Sequence, residues 1–204
     1  MREMFMDIET SSVGTFEVNS SLITSDDGIY VVDPGAEGER IAELVRKHAR
    51  PLAGILLTHA HFDHIGAVPY LESIWPDVKV YIHERDVAIL THPLNQYPPD
   101  YPRIKKPRNV VASAWPDFVK VIETPGHTPG GVCFFMEKDG VLFSGDTLFC
   151  GSVGRTDLPG GNFATLSKSL KRLLELDDAI KVIPGHGATT TIGAERRTNP
   201  YLNA

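Results

Sequence analysis

Thr58-His59-Ala60-His61-Phe62-Asp63-His64 follows directly on the apolar run Ile55-Leu56-Leu57. Three imidazoles and one carboxylate fall within residues 59–64. Imidazole nitrogen and carboxylate oxygen are good ligands for zinc and neighbouring first-row metals. A folded chain has little structural reason to concentrate them at a strand end, so the stretch reads as one half of a metal site. Leu52 to Thr58 reads as a short buried strand, after a helix over Gly38 to His48 whose Ile41, Leu44, Val45 and His48 share a face. Ahead of that helix, Ile29-Tyr30-Val31-Val32 is an apolar strand that ends in the turn Asp33-Pro34-Gly35. Strand, helix and strand in this order predict a right-handed parallel crossover. The histidines then sit at the C-terminal strand edge, where open α/β sheets place their sites.

Further from this stretch the pattern repeats. Residues 1–35 read as a β meander, with strands over Val13 to Val18 and Ser21 to Thr24 ahead of Ile29 to Val32. Downstream, His64 to Ile74 reads as a helix, Val78 to Ile82 as a strand and Glu84 to Thr91 as a helix. Residues 92–118 hold six prolines and little periodicity. They read either as a loop flanking the site mouth, which would govern substrate choice, or as an ordinary surface excursion. The strand Val119 to Glu123 leads to Gly126-His127-Thr128. A hairpin of Gly131 to Met136 and Val141 to Phe143 ends in Ser144-Gly145-Asp146-Thr147. Phe163 to Leu176 is an amphipathic helix, and the strand Ala179 to Ile183 runs into Pro184-Gly185-His186-Gly187. Two similar halves, each with strands ending in polar, glycine-flanked residues, predict an α/β sandwich of two sheets with helices on both outer faces.

His59, His61, His64, His127 and His186 share this strand-end setting; His48, His83 and His92 do not, and read as surface or packing residues. His59 and His61 are one residue apart, so in an extended turn they point the same way. With His127 they can give three nitrogens to a first metal and leave a fourth position for water. Asp63, His64 and His186 would hold a second metal, and Asp146 can offer one oxygen to each. Two metals about 3.5–4 Å apart can share a bridging hydroxide, which Asp63 would also orient. Asp33 has two readings, a turn former and a carboxylate that orients a ligand histidine. Arg155 also has two, a bidentate fork for a substrate carboxylate and an ion pair with Asp157 that pins the glycine-rich loop.

The 204 residues suit one domain, and charged residues at 23% are typical of a globular chain. No apolar run approaches the roughly 20 residues of a membrane span. The N-terminus carries acids where a signal peptide would be apolar, so a cytoplasmic location is the default expectation. A net charge of −6 and no Lys/Arg cluster beyond Lys105-Lys106-Pro107-Arg108 argue against a nucleic-acid partner. Cys133 and Cys150 cannot form a disulfide framework and read as small residues in or near the core. The oligomeric state is not legible.

His59-x-His61-x-Asp63-His64, the later Gly126-His127-Thr128-x-Gly130, Ser144-Gly145-Asp146-Thr147 and Gly185-His186-Gly187 resemble, in spelling and order, the motifs of metallo-β-lactamase-fold hydrolases. The resemblance implies a four-layered αβ/βα sandwich over residues 1–204, with two divalent metals, zinc first and iron or manganese as alternatives, at one edge of the two sheets. Within that family, Gly151-Ser152-Val153-Gly154-Arg155-Thr156-Asp157 and Asn199-Pro200-Tyr201-Leu202 resemble the compact glyoxalase II-like proteins. The implied substrate is a small-molecule thioester such as S-lactoylglutathione. The chain ends 18 residues after His186, so the helical C-terminal domain that carries most glutathione contacts in full-length glyoxalase II is expected to be absent. Thioesterase chemistry is then the firmer implication and glutathione recognition the weaker one.

Other readings stay open. Persulfide dioxygenases of this fold use one iron, which here would fall to His59, His127 and Asp146; the complete second set of ligands argues against it. A lactonase, β-lactamase or phosphodiesterase would use the same metals. Metals that merely staple the fold would be closed off by four protein ligands, and this set leaves room for solvent.

Overall fold

The computed structural model describes residues 6–93 and 95–202. Residues 1–5 of the expected 1–35 meander and Leu94 of the 92–118 segment lie outside the described residues.

The first half is β1 (Asp7–Val13), β2 (Val18–Ser25), β3 (Gly28–Val32), α1 (Gly38–Lys47), β4 (Leu52–Leu56), α2 (Phe62–Ile65), α3 (Val68–Ile74), β5 (Lys79–Ile82) and β6 (Val110–Ala112). Its six strands lie in the order β1-β2-β3-β4-β5-β6, antiparallel at β1–β2 and β2–β3 and parallel from β3 onward. The second half is β7 (Lys120–Glu123), β8 (Val132–Met136), β9 (Val141–Gly145), β10 (Leu148–Phe149), β11 (Ser152–Val153), α4 (Phe163–Leu173), β12 (Lys181–Pro184), β13 (Thr190–Thr191) and α5 (Ile192–Thr198). Its main sheet runs β13-β12-β9-β8-β7, and β10 and β11 make a separate small hairpin.

Strand alternation assigns the layers. In β3, Tyr30 and Val32 face the second sheet, while Ile29 and Val31 face α1 and α3. Leu56 and Tyr81 face inward on their strands, and Ile55, Val80 and Ile82 face the helices. Across the interface, Val132, Phe134, Met136, Phe143 and Ile183 meet them. Cys133, Phe135, Leu142 and Val182 turn the other way, onto Leu166, Leu170 and Leu173 of α4 and Ile192 of α5. Three apolar layers between four layers of structure give the expected αβ/βα sandwich. Phe134 is fully buried between the sheets, and its truncation to alanine costs about 3–5 kcal/mol.

Several local expectations are corrected. Val13–Val18 is not a strand: Gly14–Glu17 turn the chain, and the strand is the polar stretch before it, Asp7–Val13. That strand is an edge with four of its seven residues exposed and only Val13 buried, so its pattern lacks an apolar stripe. The expected helix from His64 to Ile74 is two helices broken at Gly66-Ala67, because Pro69 starts the second one. Glu84 to Thr91 forms two short 3₁₀ turns, too little helix for an amphipathic face. The 92–118 segment contributes β6, whose Val80–Val110 pairing adds the sixth strand. Cys133 is buried as expected, but Cys150 is exposed in the turn between β10 and β11.

Candidate metal centre

Every histidine and acid singled out above follows the C-terminal end of a strand. Asp33 comes after β3, the His59–His64 stretch after β4, His127 after β7, Asp146 after β9 and His186 after β12. β3 and β4 run parallel in one sheet, as do β9 and β12 in the other, so these ends meet at one edge of the sandwich. The chain crosses between sheets there: Val132 N donates to the Thr58 carbonyl at 2.9 Å, and Asn19 N to the Gly185 carbonyl at 2.8 Å.

Two groups of side chains converge. His59, His61 and His127 bring ligand atoms within 4.8 Å of one another, and so do Asp63, His64 and His186. Asp146 lies between them, with Oδ2 3.4 Å from His127 Nε2 and Oδ1 3.3 Å from His64 Nε2. Backbone close approach makes room for this: a Cβ on Gly185 would stand 2.2 Å from Asp146 Oδ1 and 2.8 Å from His64 Cε1.

The outer hydrogen bonds determine which ring nitrogens face the centre. His127 Nδ1 is 2.7 Å from the Arg155 carbonyl and His186 Nδ1 is 2.7 Å from the Phe16 carbonyl. His64 Nδ1 is 3.0 Å from Asp33 Oδ2. A carbonyl or carboxylate only accepts, so each Nδ1 donates, and in the neutral ring each Nε2 carries a lone pair. Thr58 Oγ1 donates to Asp33 Oδ2 and is therefore an acceptor for His59 Nδ1 at 3.1 Å. His59 Nε2 is left buried with no hydrogen-bond partner, as is Asp146 Oδ1. His64 Nε2 and His186 Nε2 stand 3.3 Å apart, and His186 Nε2 is 3.4 Å from Asp63 Oδ2. With the rings neutral, four acceptors face one another, and either protons on His64 and His186 or a cation must sit among them; nitrogen and oxygen donors of this kind suit zinc or iron. The residues present therefore fit divalent metals.

The same electrostatics appear in the titration of these groups. Burial, aided by His127, brings the His61 pKa down to about 4. Burial and the neighbouring His64 also hold His59 well below the usual imidazole value. For His64, burial opposes the charge, but Asp146, Asp33 and Asp63 outweigh it and raise its pKa well above the ordinary value. Burial likewise opposes ionisation of Asp146, and His64 reverses this and holds the carboxyl well below its usual range. Asp63 is lowered in the same way, by His64 and His186 against burial.

Asp33 both turns the chain and meets a histidine of the second group. The residue turns the chain at φ 46°, and its carboxylate accepts from Thr58 N at 2.8 Å, from Thr58 Oγ1 and from His64. The Arg155 guanidinium is engaged by Asp157 in two parallel bonds of 2.7 Å, with both side chains exposed. Its backbone carbonyl accepts from His127 Nδ1. Tyr97 and Tyr101 of the 92–118 segment pack on Phe16 and Phe62, so this part of the segment flanks the site.

Asp86 is a residue that the sequence reading missed. It is fully buried, and its carboxylate accepts from Ala60 N at 3.1 Å and from Gly130 N at 2.6 Å. It thereby ties the His59–His64 loop of one sheet to the His127 loop of the other. A single acid in a short polar run, Glu84-Arg85-Asp86, carries no local signal of that role.

Comparison with known proteins agrees with this arrangement. The family model for the metallo-beta-lactamase superfamily matches residues 13–186. Hydroxyacylglutathione hydrolase GloC of Haemophilus influenzae is 35% identical over 98% of this chain and 99% of its own length. The probable metallo-hydrolase YqgX of Bacillus subtilis is 36% identical over 94% of this chain and 95% of its own. The crystal structure of TTHA1623 in a di-iron-bound form superposes with a TM-score of 0.87 at 39% identity, covering 95% of this chain and all of that one. Motifs, four-layered fold and sequence relatives agree, and the chain belongs to the metallo-beta-lactamase superfamily of metallo-hydrolases.

Proposed function

We propose that the chain, as one catalytic unit, is a binuclear thioesterase of the glyoxalase II type that hydrolyses a small-molecule thioester. The observation that carries this reading is the set of facing acceptors, His64 Nε2, His186 Nε2, Asp63 Oδ2 and Asp146 Oδ1, beside the separate trio His59, His61 and His127. A single metal on His59, His127 and Asp146, as a mononuclear iron oxygenase would have it, leaves the first set without a cation. The similarity to GloC supports a thioester as substrate. Zinc is our first assignment for the metals, and the di-iron form of TTHA1623 supports iron as the alternative.

His59, His61 and His127 would hold one metal; Asp63, His64 and His186 the other; Asp146 would serve both. Such cations, when bound, polarise an acyl carbonyl and make water a stronger nucleophile near neutral pH. Asp63, kept ionised by His64 and His186 against burial, accepts a hydrogen bond from the attacking water and orients it, and the water's proton is lost to solvent. Water oxygen bonds to the acyl carbon, the C–S bond breaks with its electron pair on sulfur, and the acid and thiol are released. A thiol of pKa about 8.5 leaves as thiolate without prior protonation. Asp33, Phe16 and Arg155 act through the rings they orient, the last two by their carbonyls.

Hydrolysis of S-lactoylglutathione and of simpler thioesters, before and after chelation and after reloading with zinc or iron, tests this. Loss on chelation and recovery on reloading are expected. Activity that persists in fully chelated protein contradicts the reading.

A further inference from the structure

Gly14-Thr15-Phe16-Glu17 turns the chain between β1 and β2. Gly14 at φ +71° and Glu17 at φ 53° both take left-handed conformations, and Glu17 N donates to the Gly14 carbonyl at 3.1 Å. The turn is fastened at both ends. Gly14 N donates to Glu37 Oε1 at 2.8 Å. Asn19 Nδ2 donates to the carbonyls of Pro184 and Gly187, at 2.9 Å each, on either side of His186. Phe16 therefore has a fixed position, with its carbonyl on His186 and its ring directed elsewhere.

That ring joins three others. Its centroid lies 5.3 Å from Phe62, 5.1 Å from Tyr97 and 5.5 Å from Tyr101, edge to face in each case. Phe62, between His61 and Asp63 in sequence, stacks on Tyr97 at 5.9 Å and meets Tyr101 at 5.4 Å. Tyr101 is buried beneath them, and its hydroxyl has no hydrogen-bond partner. Phe16 and Tyr97, by contrast, are 36% and 53% exposed. Large rings held open to water over a packed aromatic floor mark a place where a ligand covers them. This place adjoins the open side of the centre: the His186 side chain is 26% exposed, against 0% for His64 and 4% for His127.

The wall is also uncharged or acidic. Segments 14–17 and 96–101 contain Glu17 and Asp100 and no lysine or arginine. These two segments offer the carboxylates of a glutathione-like carrier no cation of their own, whereas their rings offer contact to an apolar group. We propose that Phe16, Phe62 and Tyr97 receive the acyl side of the substrate and make the chain selective for thioesters with an aromatic or bulky apolar acyl group. This rests on the thioesterase reading above.

The test compares S-mandeloyl and S-lactoyl thioesters of one thiol, which differ only in phenyl against methyl beside the same reacting carbonyl. In the metal-loaded wild type, kcat/KM is expected to favour mandeloyl by about tenfold or more. Tyr97→Ala and Phe16→Leu are each expected to reduce that ratio severalfold; because it is a ratio, lost protein or metal cancels. If thioesters are inert but oxyesters turn over, the thioesterase reading fails, and the mandelate-to-lactate ratio on the oxyester pair still decides the wall. Calorimetric binding of phenylacetohydroxamate against acetohydroxamate gives the same comparison without turnover. A ratio near or below one in the wild type, or a ratio unmoved by both substitutions, overturns the proposal.

Discussion

Asp33 Oδ2 lies 3.0 Å from His64 Nδ1, with the two side chains 2% and 0% exposed. The same carboxylate holds Thr58 through its N–H and its hydroxyl, and Thr58 Oγ1 in turn meets His59 Nδ1. One acid at the end of β3 thus sets the direction of a ring in each of the two ligand groups. It does so from a left-handed backbone position, φ 46°, which asparagine and aspartate tolerate better than alanine.

Substitution of Asp33 separates these effects. Asp33→Asn keeps the turn but weakens the hold on His64, and metal affinity should fall by about 10–100-fold with a modest loss of stability. Asp33→Ala adds backbone strain and buried donors without acceptors, and should cost about 3 kcal/mol or more of stability besides. Competition with a coloured chelator and denaturant titration measure the two quantities. Equal metal affinity in Asp33→Asn and wild type would remove the orienting role.

Asp86 should behave as a clamp between the two ligand loops. Asp86→Ala leaves the Ala60 and Gly130 amides without an acceptor and should cost about 2–4 kcal/mol in chemical unfolding. The pH dependence has a definite sign. Burial raises the Asp86 carboxyl above its ordinary value. The folded state then holds a proton that the unfolded state has released, so wild-type stability falls as pH rises through that interval. The stability advantage of wild type over Asp86→Asn should accordingly narrow as pH rises from the ordinary carboxylate range through the raised folded-state value. A widening difference would show that the ionised form is the favoured one.

Arg155→Met tests the remaining substrate candidate. The guanidinium is paired with Asp157 on the surface, and the Arg155 carbonyl accepts from His127. Metal content should be unchanged and KM should stay within about twofold, as expected when an exposed ion pair is lost. A large rise in KM with kcat preserved would restore the fork as a substrate contact.

The cysteines should differ in reactivity. Burial pushes the Cys133 thiol up to about 11, while Cys150 is exposed. Iodoacetamide at about pH 8 should modify Cys150 alone in the native protein and both residues after unfolding, because only an accessible thiolate reacts. Mass spectrometry of the alkylated protein reads this directly; native-state modification at Cys133 would contradict the packing under α4.

The sandwich was legible because its strands are short apolar runs that stop at Asp33, His59, His127, Asp146 and His186, and chain order alone separates two halves. The convergence of His59, His61 and His127 and of Asp63, His64 and His186 was legible because metal binding would require those side chains. What holds those side chains was harder to read. Phe16 and Arg155 orient His186 and His127 through backbone carbonyls, which every residue possesses. Asp86 binds two amides brought together only by the fold. β1 and β6 were hidden for a related reason: one is a polar edge strand, the other three residues long inside a proline-rich segment.

The central claim is that two metals serve one thioesterase centre. The direct measurement is metal titration of chelated protein, with bound metal and thioester hydrolysis followed together. Activity should rise to its maximum only as binding approaches about two equivalents per chain, and His186→Ala should bind about one fewer. Full thioesterase activity at a single equivalent, or with no metal bound, would contradict the account.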